Sequence, residues 1–118
     1  MPDYESIKKE LEGISIEDNP KLVRAKSRDF FWYSPILKDQ LDQVTADLIV
    51  SPTTEEEVIR TLKVAFAHDV PVTARGSGTG NYGQAMPLSG GIVLNLARMD
   101  KVKEIHPGRV IAEPGAVI

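Results

Sequence analysis

The feature that most constrains this chain is a glycine-rich loop that follows a strand, helix and strand pattern. Four of the nine residues from 75 to 83 are glycine. Because glycine has no Cβ, it adopts positive φ readily and lets backbone N–H groups converge on an anion. Ser77, Thr79 and Asn81 lie among the glycines and add hydroxyl and amide donors. The loop therefore predicts a phosphate-binding site.

The residues before the loop predict the first strand and the helix of a βαβ unit. The apolar run 47–50 ends at Ser51-Pro52 and is typical of a buried strand, because proline removes a backbone donor. A capping box then starts the helix, in one of two registers: Thr53 with Glu56, or Thr54 with Glu57. Acidic residues in the first turn complement the helix dipole.

The predicted helix extends to about His68, and residues 70–74 predict a second strand. The helix carries an apolar stripe that we expect to cover a sheet, formed by Val58, Ile59, Leu62, Ala65 and Phe66. The second strand is expected to be parallel to the first and to be its neighbour, with a right-handed crossover.

The remaining patterns predict an α+β fold. Residues 4–12 have the spacing of a short amphipathic helix, whereas 19–43 show no clear periodicity and contain four adjacent aromatic residues, 30–33. Residues 91–96 predict another strand, and 102–105 with 109–112 predict a strand pair that completes a β-meander. We expect a helical or irregular lead-in over residues 1–45 and the main domain over 46–118.

Two common phosphate-binding motifs do not explain the loop. A Walker-type P-loop needs a Gly-Lys-Ser/Thr sequence, and no lysine lies between Lys63 and Lys101. Gly78, Gly80 and Gly83 satisfy the Rossmann pattern Gly-x-Gly-x-x-Gly, but that motif must open a helix after the first strand of its βαβ unit. Here the loop follows the second strand and leads through 84–91 into another strand.

Four spaced motifs occur in order along the second half of the chain: the upstream strand and helix start from Ile49 to Val58, then Arg75-Gly76-Ser77-Gly78-Thr79-Gly80, the segment from Met86 to Leu94, and the segment from Ala97 to Val102. Together these motifs resemble the FAD-binding (PCMH-type) domain of the vanillyl-alcohol oxidase class. Within that class the sequence most resembles FAD-linked oxidases of the glycolate oxidase and D-lactate dehydrogenase type. The resemblance covers about residues 46–118 and implies the N-terminal part of such a domain.

The resemblance implies a noncovalently bound FAD. The residues expected at the cofactor are Pro52, Arg75, Gly76, Ser77, Gly78, Thr79, Gly80, Asn81, Gly83, Gln84 and Pro87. The pyrophosphate would lie on 76–80, and Pro52 would lie near the adenosine. Thr79 occupies the position of the flavin-linked histidine of some relatives and cannot form that bond. Arg75 is expected either to contact phosphate or to form a pair inside the domain.

The implied activity is oxidation of a 2-hydroxy acid, such as glycolate or D-lactate, by hydride transfer to the flavin. The alternative is a catalytically silent binding or assembly module that keeps the fold without the cofactor. The catalytic groups of such enzymes belong to later parts of the protein, so no catalytic residue is assigned, and the fragment alone is expected to be inactive. The electron acceptor and the oligomeric state, including a homo-oligomer, stay open.

Composition narrows the other partners. The net charge is −3 and the basic residues are scattered, which argues against nucleic acid. Cysteine is absent, and the two histidines, His68 and His106, are far apart, so we expect no metal site. No stretch of about 18 apolar residues predicts a transmembrane segment. Without a signal-peptide pattern, the sequence predicts a cytoplasmic protein.

Overall fold

The computed structural model describes residues 2–117, which form a mixed α+β fold. In chain order the elements are α1 (Tyr4–Glu10), β1 (Ser15–Glu17), α2 (Pro20–Lys26), a 3-10 turn (Phe31–Tyr33), α3 (Pro35–Leu41), β2 (Leu48–Ser51), α4 (Glu55–Ala67), β3 (Val72–Arg75), β4 (Ile92–Asn95), β5 (Val102–His106) and β6 (Arg109–Ala112). The predicted fold class is confirmed.

The main sheet has the strand order β1-β2-β4-β3. Strands β2, β4 and β3 are parallel, and β1 is antiparallel to β2. The expectation that β2 and β3 are neighbours is wrong, because β4 lies between them. The prediction that β4 belongs to a β-meander is also wrong, because β4 pairs in parallel with β2 and β3. All four β4 residues are buried while β3 is partly exposed, so the most apolar strand occupies the centre of the sheet.

The two faces of the sheet bury different residues. Leu48, Val50 and Ile92 pack against α1 and α4. The opposite face carries Ile49 and Val93, which pack against α2. Since successive side chains of a strand alternate between faces, Arg75 and its register partner in β4 lie on the face of α2. The glycine loop begins directly after Arg75, at the end of β3.

The second sheet is the hairpin β5–β6, which confirms the predicted strand pair. Gly108 in its turn has φ +74°, a conformation that favours glycine. Every residue of the two strands is exposed. The hairpin therefore adds little to the core of the described residues.

Helix α4 begins in the second of the two predicted registers. The hydroxyl of Thr54 accepts a hydrogen bond from the N–H of Glu57 at 3.2 Å. The Glu57 carboxylate in turn accepts from the N–H and the hydroxyl of Thr53, both at 2.8 Å. The end of the helix at Ala67 confirms the prediction.

The packed face of α4 differs from the predicted stripe. Ile59 and Leu62 are 45% exposed and Phe66 is 90% exposed, whereas Thr61 and Ala65 are buried. The face that covers the sheet is therefore rotated around the helix by about one residue position from the expected stripe.

Candidate phosphate-binding site

The glycine loop lies at the carboxyl edge of the parallel strands. It begins directly after Arg75, the last residue of β3, whose partner in β4 is Asn95. Pro52 follows β2 at the same edge. Ligands of open parallel sheets bind outside the carboxyl ends of the strands. The topology therefore puts the loop where a ligand site is expected.

The loop leads into a strand and not into a helix. Residues 76–91 contain turns and bends but no helix or strand, and β4 begins at Ile92. A Rossmann site needs a helix start at this point. The structure therefore agrees with the exclusion of that motif.

The loop presents a run of unused backbone donors. Within the described range 2–117, the N–H groups of residues 76–81 donate no hydrogen bond to another residue. The glycines of this run are half-buried, and Ser77, Thr79 and Asn81 are exposed. Successive N–H groups in a turn that contains a left-handed residue form the concave sites that bind anions, and Gly78 supplies such a residue. The donor set of the loop thus fits a pyrophosphate.

Gly78 is required by the backbone and by its surroundings. Its φ is +68°, in the left-handed region, and a Cβ at this position would overlap the guanidinium of Arg75. Gly76 differs, because its φ is not positive and the nearest atom to its Cβ position, the Pro114 carbonyl oxygen, is at 3.8 Å. The loop conformation therefore depends more on Gly78 than on Gly76.

Arg75 is held inside the domain. It is 8% exposed, and its Nη1 donates a hydrogen bond to the carbonyl oxygen of Arg28. Burial lowers the pKa of Arg75, and the nearby negative charge of Asp29 opposes that change. The structure thus shows the pairing that was one of its two expected roles, and contact of Arg75 with a phosphate stays a prediction.

The other expected cofactor residues occupy three kinds of position. Asn81 and Gln84 are exposed, and Gln84 Oε1 accepts a hydrogen bond from the Tyr82 N–H at 3.0 Å. Gly83 has φ +81°. Pro52 and Pro87 are fully buried. Because β4 separates β2 from β3, Pro52 lies about 10 Å from the loop across the sheet.

Asn95 is a buried polar residue at this edge that the sequence patterns did not single out. It is 7% exposed, and its side-chain amide donates to the hydroxyl of Ser51 at 3.2 Å. The register places Ser51, Asn95 and Arg75 in one row across three strands. The sequence signal that could have identified Asn95 is its position as the polar last residue of an otherwise apolar strand.

The segment Arg28–Phe31 was also missed, and it contacts the loop directly. The Phe30 N–H donates to the carbonyl oxygen of Gly80 at 2.8 Å. Asp29 is 4% exposed and lies against the same glycine. The two segments are about fifty residues apart, so only tertiary structure shows the contact.

Each histidine pairs with a glutamate. His68 pairs with Glu10 at 2.5 Å, and His106 pairs with Glu104 at 2.9 Å. In residues 2–117, no three His, Asp or Glu side chains are grouped as metal ligands would be. Over the same range, no helix has the length and apolar character needed to cross a membrane.

The structure shows an α+β fold with a candidate phosphate-binding loop, and sequence comparison gives its family. The FAD binding domain family matches residues 46–118. The chain belongs to this family.

Two curated relatives illustrate the similarity. The uncharacterized FAD-linked oxidoreductase Rv2280 of Mycobacterium tuberculosis is 45% identical over 69 residues, covering 57% of this chain and 15% of the relative. The glycolate oxidase subunit GlcD of Escherichia coli K12 is 40% identical over 70 residues, covering 58% of this chain and 14% of the relative. The chain thus matches only a small part of the length of these proteins.

Solved structures show the same fold. The 4-ethylphenol oxidase of Gulosibacter chungangensis has a TM-score of 0.78 at 24% identity, covering 98% of this chain and 24% of that protein. An alkyldihydroxyacetonephosphate synthase has a TM-score of 0.72 at 24% identity, covering 88% of this chain and 21% of that protein. The coverage includes most of residues 1–45, which lie outside the family match.

Proposed function

We propose that this chain is the FAD-binding portion of a flavin-dependent oxidoreductase that oxidises a 2-hydroxy acid. The observation that carries the proposal is the run of unpaired N–H groups at 76–81, located at the carboxyl edge of the sheet within the family match. Relatives named as a glycolate oxidase component and as D-lactate dehydrogenase support the substrate class.

The residues of the chain would hold and orient the cofactor. The N–H groups of 76–81 would donate to the pyrophosphate oxygens, and the exposed Ser77 and Thr79 hydroxyls would add donors at the same place. The loop itself contains no charged side chain. Binding of the pyrophosphate would therefore depend on backbone dipoles. The positive charge next to the loop is the guanidinium of Arg75.

Bound FAD would supply the redox chemistry by accepting a hydride at N5 of the flavin from the hydroxyl-bearing carbon. No described residue is assigned as the base. Noncovalent binding is the expected mode, because Thr79 has no imidazole for the linkage that some relatives form at this position. The domain boundary near residue 46 and the cytoplasmic location stay predictions, and the oligomeric state, including a homo-oligomer, and the electron acceptor stay open.

The test uses the full-length polypeptide that contains these residues. Purified protein is reconstituted with FAD, and visible absorbance and flavin fluorescence measure binding. Anaerobic addition of D-lactate or glycolate is expected to bleach the oxidised flavin band, with the L-enantiomer of lactate and a 2-methyl hydroxy acid as controls. A protein that does not bind added FAD would contradict the proposal and favour a silent binding or assembly module. Binding without bleaching by any 2-hydroxy acid would contradict the substrate class alone.

A further inference from the structure

A short segment, residues 28–31, lies N-terminal to the residues matched by the family and forms hydrogen bonds to both ends of the glycine loop. The Arg28 carbonyl oxygen accepts from Nη1 of Arg75, the residue that precedes the loop. The Phe30 N–H donates to the Gly80 carbonyl oxygen at 2.8 Å, near the end of the loop. We call residues 28–31 the clasp, because its backbone spans the loop from Arg75 to Gly80.

The clasp is anchored in the core by its last residue. Phe31 is 0% exposed, and the guanidinium of Arg28 lies 4.7 Å from the centroid of its ring. Arg28 also forms an ion pair with Asp42 at 2.7 Å, at the end of α3. These contacts fix the position of the clasp, and the clasp in turn holds the loop in place.

Asp29 fixes the bend of the clasp. Its Oδ1 accepts a hydrogen bond from the Phe31 N–H at 2.9 Å, an Asx-type turn that orients the Phe30 N–H. Its Oδ2 is buried without a hydrogen-bond partner among residues 2–117 and lies 3.6 Å from the Cβ position of Gly80. A buried unpaired oxygen costs stability, and the nearby positive charge of Arg75 offsets part of that cost.

We propose that the clasp sets the conformation of the phosphate-binding loop and that Asp29 is its positioning residue. The inference rests on the proposed function, since it concerns the affinity of the same loop for FAD. The role proposed for Asp29 is indirect. Asp29 orients the Phe30 N–H, which donates a hydrogen bond to the Gly80 carbonyl oxygen. That hydrogen bond fixes the orientation of the loop, so that the N–H groups of 76–80 would face the ligand.

The first experiment removes one backbone donor. Phe30→Pro deletes both the ring and the N–H, whereas the matched Phe30→Ala deletes the ring alone. In the full-length polypeptide we expect Phe30→Pro to raise the Kd for FAD by about tenfold, as loss of one well-placed hydrogen bond does, and Phe30→Ala to change it by less than about threefold. Equal Kd values for the two variants would overturn the proposal.

The second experiment uses rescue at Asp29. Asp29→Ala removes the acceptor for the Phe31 N–H, and Asp29→Asn keeps an acceptor of the same shape without the charge. We expect Asp29→Ala to raise the Kd by about tenfold and Asp29→Asn to stay within about threefold of wild type. If Asn binds as weakly as Ala, the charge and not the hydrogen bond matters, and the positioning role is refuted.

A destabilising variant on the other face of the sheet separates positioning from stability. Ile7 is buried in the core between α1 and the sheet, far from the clasp. Ile7→Ala should lower the Tm without changing the Kd for FAD measured well below that Tm. If its Kd rises as much as that of Asp29→Ala, general destabilisation accounts for both and the inference fails. If wild-type protein does not bind FAD, the proposed function fails instead.

Discussion

The sharpest structural prediction concerns the glycine at the centre of the loop. Gly78→Ala forces a Cβ into the Arg75 guanidinium and puts alanine at φ +68°. The backbone conformation costs about 1–2 kcal/mol, and loss of the charged hydrogen bond from Arg75 adds about 1.5–3 kcal/mol. We therefore expect Gly78→Ala to lower the free energy of unfolding by about 2.5–5 kcal/mol.

The control for the backbone contribution is Gly108→Ala in the β5–β6 turn. Its φ is +74°, and nothing lies within 4 Å of its Cβ position. Urea denaturation should show a loss of only about 1–2 kcal/mol for this variant, with FAD affinity unchanged. Gly78→Ala should in addition weaken FAD binding by at least about tenfold.

A double-mutant cycle isolates the contact with the guanidinium. In an Arg75→Ala background the overlap is gone, so Gly78→Ala should cost only the backbone strain of about 1–2 kcal/mol. If Gly78→Ala costs the same with and without Arg75, the packing of Arg75 on Gly78 does not determine the loop. A Gly78→Ala variant that is no less stable than Gly108→Ala would refute the reasoning as well.

Two further predictions test the lead-in and the capping register. Burial and a hydrogen bond to Asp47 raise the pKa of Tyr4 to about 12, so the stability contributed by neutral Tyr4 should be complete below its ordinary pKa and be lost as pH rises through about 12. Denaturation curves measured at pH 9–12 should show this loss of stability in wild type and not in Tyr4→Phe. An equal dependence of the free energy of unfolding on pH in the two proteins would contradict the prediction. Thr54→Ala should lower the free energy of unfolding by about 1 kcal/mol, as loss of an N-cap does, and Thr53→Ala by less; the reverse order in urea denaturation would contradict the observed register.

Local signals in the sequence predicted most elements but not their arrangement. The capped helix α4, the hairpin turned at Gly108 and the apolar strand β4 each carry their own pattern. The helices α2 and α3 lie in the stretch 19–43, which has no clear apolar periodicity, although Asn19 and Ser34 before prolines were usable N-cap signals. The place of β4 between β2 and β3 depends on competition for burial, which no local pattern records.

The candidate site was predictable to the same extent. The glycine spacing predicts a loop with free backbone donors, and the structure shows such a loop at 76–81. The contacts of Arg75 with Arg28 and of Gly80 with Phe30 join residues about fifty positions apart, so spacing could not reveal them. The two expected roles of Arg75 were equal on sequence because guanidinium suits both a phosphate and a buried carbonyl.

The most direct test of the central claim is a crystal structure of the full-length protein with FAD bound. We predict pyrophosphate oxygens within about 2.7–3.2 Å of backbone nitrogens of residues 76–81, with the Phe30 N–H still bonded to the Gly80 carbonyl. A pyrophosphate bound elsewhere, with those N–H groups facing solvent, would contradict the claim.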